Sequence, residues 1–95
     1  MSLARAALTA LSDPTRRQLL DCLRQGPKTV GEIAAVLPVS RTAVSQHLKL
    51  MKATRLVMER RQGRRHYFAI DPTAIAELRL YFDAILADIL RSPAG

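Results

Sequence analysis

A chain of 95 residues, 48% of them hydrophobic, has material for one small core and not for two separately folded domains, so residues 1–95 are read as a single domain. Its formal net charge of +7 favours a polyanionic partner, and its single cysteine, Cys22, excludes an internal disulfide framework or a multi-cysteine metal cage. No segment approaches the roughly 20 apolar residues of a membrane-spanning helix, and Met1–Leu11 lacks a secretory pattern; no membrane role and a reducing, cytoplasmic location are expected.

The first predicted helix covers Leu3–Leu11, where Leu3, Ala7 and Leu11 recur at four-residue spacing and line one side. Ser12-Asp13-Pro14 ends it and starts a second helix, because Ser or Asp caps free amides and proline is tolerated in a first turn. That helix runs to about Arg24, with Leu19, Leu20 and Leu23 inward, and stops at Gln25-Gly26-Pro27. Cys22 beside these leucines reads as a small core residue rather than a redox sensor.

Thr29 and Glu32 have the spacing of a capping box and open a short third helix with Ile33, Ala34 and Leu37 inward. Pro38-Val39-Ser40 makes the turn, and Ser40 caps a fourth helix from Arg41 to about Thr54 that buries Val44, Leu48 and Met51. Beyond Arg55, the β-prone runs Leu56–Met58 and Tyr67–Ile70 flank Glu59–His66, with Gly63 near the centre, which predicts a two-stranded hairpin. Asp71-Pro72 begins a last helix whose Ile75, Leu78, Phe82, Ile85 and Ile89 alternate three and four apart as in a coiled-coil seam; it is expected to end near Ser92-Pro93. The fold class is therefore mainly α with a small β-hairpin, in the order α-α-α-α-β-β-α.

Residues 41–65 carry eight basic side chains against Glu59 alone, while the rest of the chain, with seven of each sign, sums to zero. The short helix, three-residue turn and longer helix from Thr29 to Thr54 match a helix-turn-helix, whose second helix enters the major groove of double-stranded DNA. On the polar face of that helix, Arg41, Thr42, Ser45 and Gln46 carry groups able to bond base edges, with Ser40 beside them and Lys49 suited to phosphate. A merely solvated helix more usually mixes Glu with Lys, and no acidic residue occurs here between Arg41 and Thr54. His47 either caps the core edge, donates to a phosphate, or does both.

Arg60, Arg61, Arg64 and Arg65 place four guanidinium groups around the expected hairpin turn, where they repel one another unless an anion neutralises them. Charge also protects exposed strand edges from aggregation, but lysine or glutamate would serve that purpose equally well. The last helix either completes one subunit's core or, since Leu80, Tyr81, Leu86 and Leu90 widen its apolar belt, also meets a second chain. Homodimerisation would align two reading helices with a pseudo-palindromic operator. On the last helix the expected dimer surface comprises Leu78, Tyr81, Phe82, Ile85, Leu86 and Ile89. The rival reading is a winged-helix protein-interaction module that grips another partner with this last helix. An enzyme is disfavoured, with no catalytic residues assigned: no Gly-rich phosphate loop or nucleophile and base pair occurs, and both histidines, His47 and His66, lie in the basic region.

The stretches SRTAVSQHLKLMKATRLV and ERRQGRRHYFAIDP, with DPTRRQLLDCL and TVGEIAAVLPVS before them, resemble the ArsR/SmtB family of winged-helix repressors over most of the chain. The resemblance implies a winged helix-turn-helix, a homodimer formed by the first and last helices, which adds Leu3, Ala7 and Leu11 to the expected dimer surface, and repression by blocking a promoter. It departs at the metal sites of responsive members. TVGEIAAVL has no cysteine or histidine and residues 71–91 have no histidine, so no metal or other cofactor is expected.

Overall fold

Each helix begins where a side chain can satisfy its free amides. The computed structural model describes residues 2–91, in which α1 spans Leu3–Ala10, α2 Pro14–Leu23, α3 Val30–Val36, α4 Arg41–Ala53, β1 Val57–Gln62, β2 Arg65–Ile70 and α5 Pro72–Arg91. Ser2 caps α1, and the Asp13 carboxylate accepts the Thr15 and Arg16 amides at the start of α2. Thr29 and Glu32 form the full capping box of α3, and Ser40 accepts the Ala43 amide at 3.1 Å to open α4. Asp71 does the same for α5 through the Thr73 amide. The expected stop at Ser92-Pro93 lies outside the described residues.

Leu19, Leu23, Ile33, Val44, Leu48, Met51, Leu56 and Val57 fill the centre, drawn from α2, α3, α4 and the root of the hairpin. A second layer is built from small side chains. Ala4, Ala7 and Ala10 bury the inner face of α1 against Ala74 and Leu78 of α5, because a helix side without bulk lets its neighbour approach closely. Leu3 and Leu11 sit at the edge of this contact, partly buried. Two arginines close the end of α1: Arg16 Nε donates to the Ala10 carbonyl at 2.6 Å and Arg17 Nη1 to that of Leu11 at 2.8 Å. Carbonyls orphaned by the helix end thus gain charged donors.

The hairpin differs from expectation in length. Its strands extend through the charged residues to Gln62 and from Arg65, in register Val57 to Ile70 and Gln62 to Arg65, leaving only Gly63 and Arg64 as the loop. Gly63 at φ +61° supplies the left-handed first position that a tight two-residue turn needs. Backbone pairing overrides local propensity because the flanking side chains remain in water and cost the ladder nothing. One further strand-like contact went unforeseen: Lys28 exchanges both backbone bonds with Phe68, at 2.9 and 2.8 Å. β2 is thereby tied to the segment that leads into α3.

Between α4 and β1, Arg55 adopts φ +58°, a left-handed conformation usually left to glycine or asparagine. The conformation lets the Leu56 amide reach back to the Met51 carbonyl at 2.9 Å and close the helix end. The carbonyls of Arg55 and Leu56 then receive the amides of Ala74 and Asp71, so the α4–β1 connection and the start of α5 share one junction. Among the described residues no helix is long and apolar enough to cross a membrane.

Candidate nucleic-acid interface

The 3.6-residue period divides α4 into two faces. Val44, Leu48 and Met51 are fully buried, and Ser40, Arg41, Thr42, Ser45, Gln46 and Lys49 are all exposed on the other side, as the sequence predicted. His47 lies between the two faces. It is half-buried, with Nδ1 3.5 Å from Arg16 Nη1 of α2. A guanidinium only donates, so a bond here makes Nδ1 the acceptor. The core-edge role is therefore occupied, through a partner on α2 that spacing along α4 had no means of signalling.

Arg41 has a second, unforeseen neighbour. Its guanidinium lies over Gly31 of α3, where an added Cβ would stand 3.2 Å from Nη2. Glycine in a helix normally costs stability, and here it leaves room for the arginine to fold across the helix start. Arg41 and Arg65 line the same hollow, together with Thr29, Glu32 and His66. The capping bonds from Thr29, backbone first and then hydroxyl, hold the Glu32 carboxyl below the usual carboxylate range, with smaller help from the charges of Lys28 and Arg65.

The wing arginines are exposed and flank the Gly63-Arg64 loop, as the sequence suggested, but they do not share one face. Strand pairing alternates them. Arg60 and Arg65 share one pleat face with Gln62 and Tyr67, Arg61 shares the other with Glu59 and His66, and Arg64 stands in the loop. The hairpin lies beside α4, since Ser45, Lys49 and Lys52 of the helix and Glu59 and Phe68 of the strands border a common groove. Helix and wing are thus neighbours, with Arg41 of α4 and Arg65 of β2 meeting at a second hollow.

The residues expected at a dimer contact divide by burial. Ala7 is 0% exposed and Leu78 8%, so both are covered within the chain and removed from any outer surface; the close α1–α5 approach consumes them. Tyr81, Phe82, Ile85, Leu86 and Ile89 are exposed, joined by Leu80, Leu90 and, from α1, Leu8. Tyr81 and Phe82 meet edge to face at 5.4 Å between ring centres. Leu8 was missed because it lies off the Leu3–Ala7–Leu11 stripe; it shares a small hollow with Ser2, Ala4, Arg5 and Tyr81. Cys22 is only partly buried, packed on the core while bordering a groove between α2 and α3. Among the described residues, no group of three or more His, Cys, Asp or Glu is placed to hold a metal ion.

Comparison with known proteins places this geometry. The family model of bacterial regulatory proteins, arsR family, matches residues 13–59. The HTH-type transcriptional regulator Rv2034 of Mycobacterium tuberculosis is 52% identical over 77 residues, covering 81% of this chain and 72% of that protein. The transcriptional repressor SdpR of Bacillus subtilis is 35% identical over 68 residues, covering 72% and 76%. Among solved structures, an ArsR-like transcriptional regulator from Rhodococcus sp. RHA1 superposes with a TM-score of 0.86 at 28% identity, over 97% of this chain and 87% of that one. The homodimeric winged helix-turn-helix DNA-binding domain of Mb0332 from Mycobacterium bovis, a possible ArsR-family regulator, does so with 0.72 at 31% identity, over 95% and 82%.

Proposed function

Since the chain belongs to the arsR family of bacterial regulatory proteins, we propose that it is a DNA-binding transcriptional repressor acting in the cytoplasm as a homodimer on a pseudo-palindromic operator. Residues 1–95 serve as one winged helix-turn-helix domain. Base choice falls to Arg41, Thr42, Ser45 and Gln46, with Ser40 at the helix cap and His47 at the edge of the contact. Lys49, Arg60, Arg61, Arg64 and Arg65 neutralise phosphates and set the register of the protein on the duplex.

One observation carries this reading: the exposed side of α4, acid-free from Arg41 to Ala53, and the arginine-rich hairpin border a common groove. Dimerisation is supported by α5, which buries no residue beyond Leu78 yet exposes seven large apolar side chains from Leu80 to Leu90. A monomer would leave that face in water at a cost of about 1 kcal/mol for each half-exposed side chain. Pairing through α5, with Leu3, Leu8 and Leu11 of α1 at its margin, removes the cost and sets two reading helices on one side of the DNA.

Selection of duplexes from a random pool by the full chain, read by sequencing, tests the assignment. Enrichment of an inverted repeat with half-sites about one helical turn apart is expected. A pool that stays unenriched at low salt would overturn it.

A further inference from the structure

Glu59 is the one acidic residue between Arg41 and Arg65, and it stands on the surface assigned to a polyanion. A carboxylate there repels phosphate, so its presence asks for a compensating task. Its contacts supply one. Oε1 accepts a bond from Lys52 Nζ, in the last turn of α4, at 2.9 Å, and Oε2 accepts from His66 Nδ1 of β2 at 2.6 Å. One side chain thereby joins the recognition helix and both strands of the wing. These two bonds, Lys52 first, hold the carboxyl below the usual carboxylate range.

Past Met58 on β1 and before Tyr67 on β2 every hairpin residue is exposed, and a two-stranded ribbon without a buried face has little rigidity of its own. The bond from Lys52 is the one side-chain hydrogen bond that links α4 to the hairpin among the described residues. It borders the groove shared by Ser45, Lys49 and Phe68, between the two elements that must reach one duplex together.

We propose that Glu59 is a positioning residue: by bridging Lys52 and His66 it fixes the angle of the wing to the recognition helix, so that specific duplexes are bound by both at once. The inference rests on the DNA-binding reading above. Its charge opposes binding to any duplex, and its geometry favours binding to the right one.

The two effects have opposite signs, which the test exploits. Affinity is measured by fluorescence anisotropy for the wild-type chain, Glu59→Gln and His66→Ala, each with the duplex that the wild type selects from a random pool and with a scrambled duplex of the same length and composition. Positioning predicts that Glu59→Gln binds the scrambled duplex at least as tightly as wild type while the ratio of selected to scrambled affinity falls about fivefold per protomer, the strength of two exposed ionic bonds. His66→Ala, which removes no negative charge, lowers the same ratio. A carboxylate without a positioning task predicts that Glu59→Gln tightens both duplexes by one factor and that neither variant moves the ratio; that result overturns the proposal and leaves the DNA-binding reading standing. Failure of the wild type to select any duplex would end both.

Discussion

Replacing Arg60, Arg61, Arg64 and Arg65 together with alanine removes the wing's cationic side chains without touching a buried residue, since all four are exposed. On B-DNA each neutralised phosphate contributes about 0.9 to the slope of log affinity against log salt, so four contacts contribute about 3.6 per bound protomer. A fourfold rise in salt should therefore weaken the wild type, relative to the variant, by about 150-fold for each bound protomer. The register divides this total. If the ribbon meets the backbone only with the face bearing Arg60 and Arg65, three contacts remain with Arg64 and give about 2.7, of which the double variant Arg60→Ala/Arg65→Ala loses about 1.8 and Arg61→Ala almost none; contact through the other face makes Arg61→Ala the more costly of the two. Anisotropy titrations from 50 to 200 mM salt (values of the order at which such slopes are resolved), on a duplex selected by the wild type, measure these slopes, and circular dichroism confirms that the variants are folded. A folded quadruple variant with wild-type affinity and slope would refute the wing assignment.

The double variant Phe82→Lys/Ile85→Lys should dissociate the dimer: these side chains are 52% and 40% exposed in one protomer, so burying them contributes about 1 kcal/mol each and about 4 kcal/mol for two protomers, near a thousandfold in Kd. Analytical ultracentrifugation checks it, and an unchanged dimer would move the interface elsewhere. Gly31→Ala should raise thermal stability, by up to about 1 kcal/mol from helix propensity, yet weaken DNA binding because the new Cβ displaces the Arg41 guanidinium; a variant both more stable and equally tight would show that the Arg41 pose is immaterial. Acid should destabilise the fold through Asp71 and Glu59, whose carboxyls lie below their ordinary range, Asp71 because the Thr73 hydroxyl and then its amide bond to it, and Glu59 through Lys52 and then His66. A depressed carboxyl stabilises the fold above its unfolded pKa and loses that contribution as pH falls through the folded value. The melting midpoint should thus drop below about pH 4, and Asp71→Asn should flatten part of that drop.

What could be read in the sequence was whatever local chemistry decides. Thr29 with Glu32, Ser40, and Asp13 before Pro14 mark helix starts because the capping atoms lie within a few residues of the amides they serve, and Val44, Leu48 and Met51 mark the buried side of α4 by period alone. Features decided by distant partners escaped. The strands run through Glu59–Gln62 and Arg65–His66 because a tight turn at Gly63 sets the ladder, although the residues themselves do not favour strand. The end of α4 carries arginine where a left-handed residue is needed, so the usual glycine signal is missing. Arg41 over Gly31, Arg16 beside His47 and Glu59 between Lys52 and His66 each join residues 7 to 31 positions apart, beyond the reach of any periodicity. At the candidate site the exposed side chains were therefore legible, and the contacts that hold them in place were not.

The disposition of the acidic residues explains why the net charge acts as a directed surface and not as a diffuse one. Seven of the eight are bonded within the structure. Asp13, Glu32 and Asp71 bond amides at helix starts, where the helix dipole welcomes them. Asp21, Asp83 and Asp88 pair with Arg24, Arg79 and Arg91 one turn away on their own helices, cancelling cations outside the α4 and wing region. Only Glu59 lies within that region, and there it is held between Lys52 and His66. Outside residues 41–65 the formal charges sum to zero, so the excess positive charge lies within that stretch. On the DNA-binding reading proposed above, long-range attraction orients the protein before any base is contacted, and the contacts made on arrival are those of α4 and the hairpin.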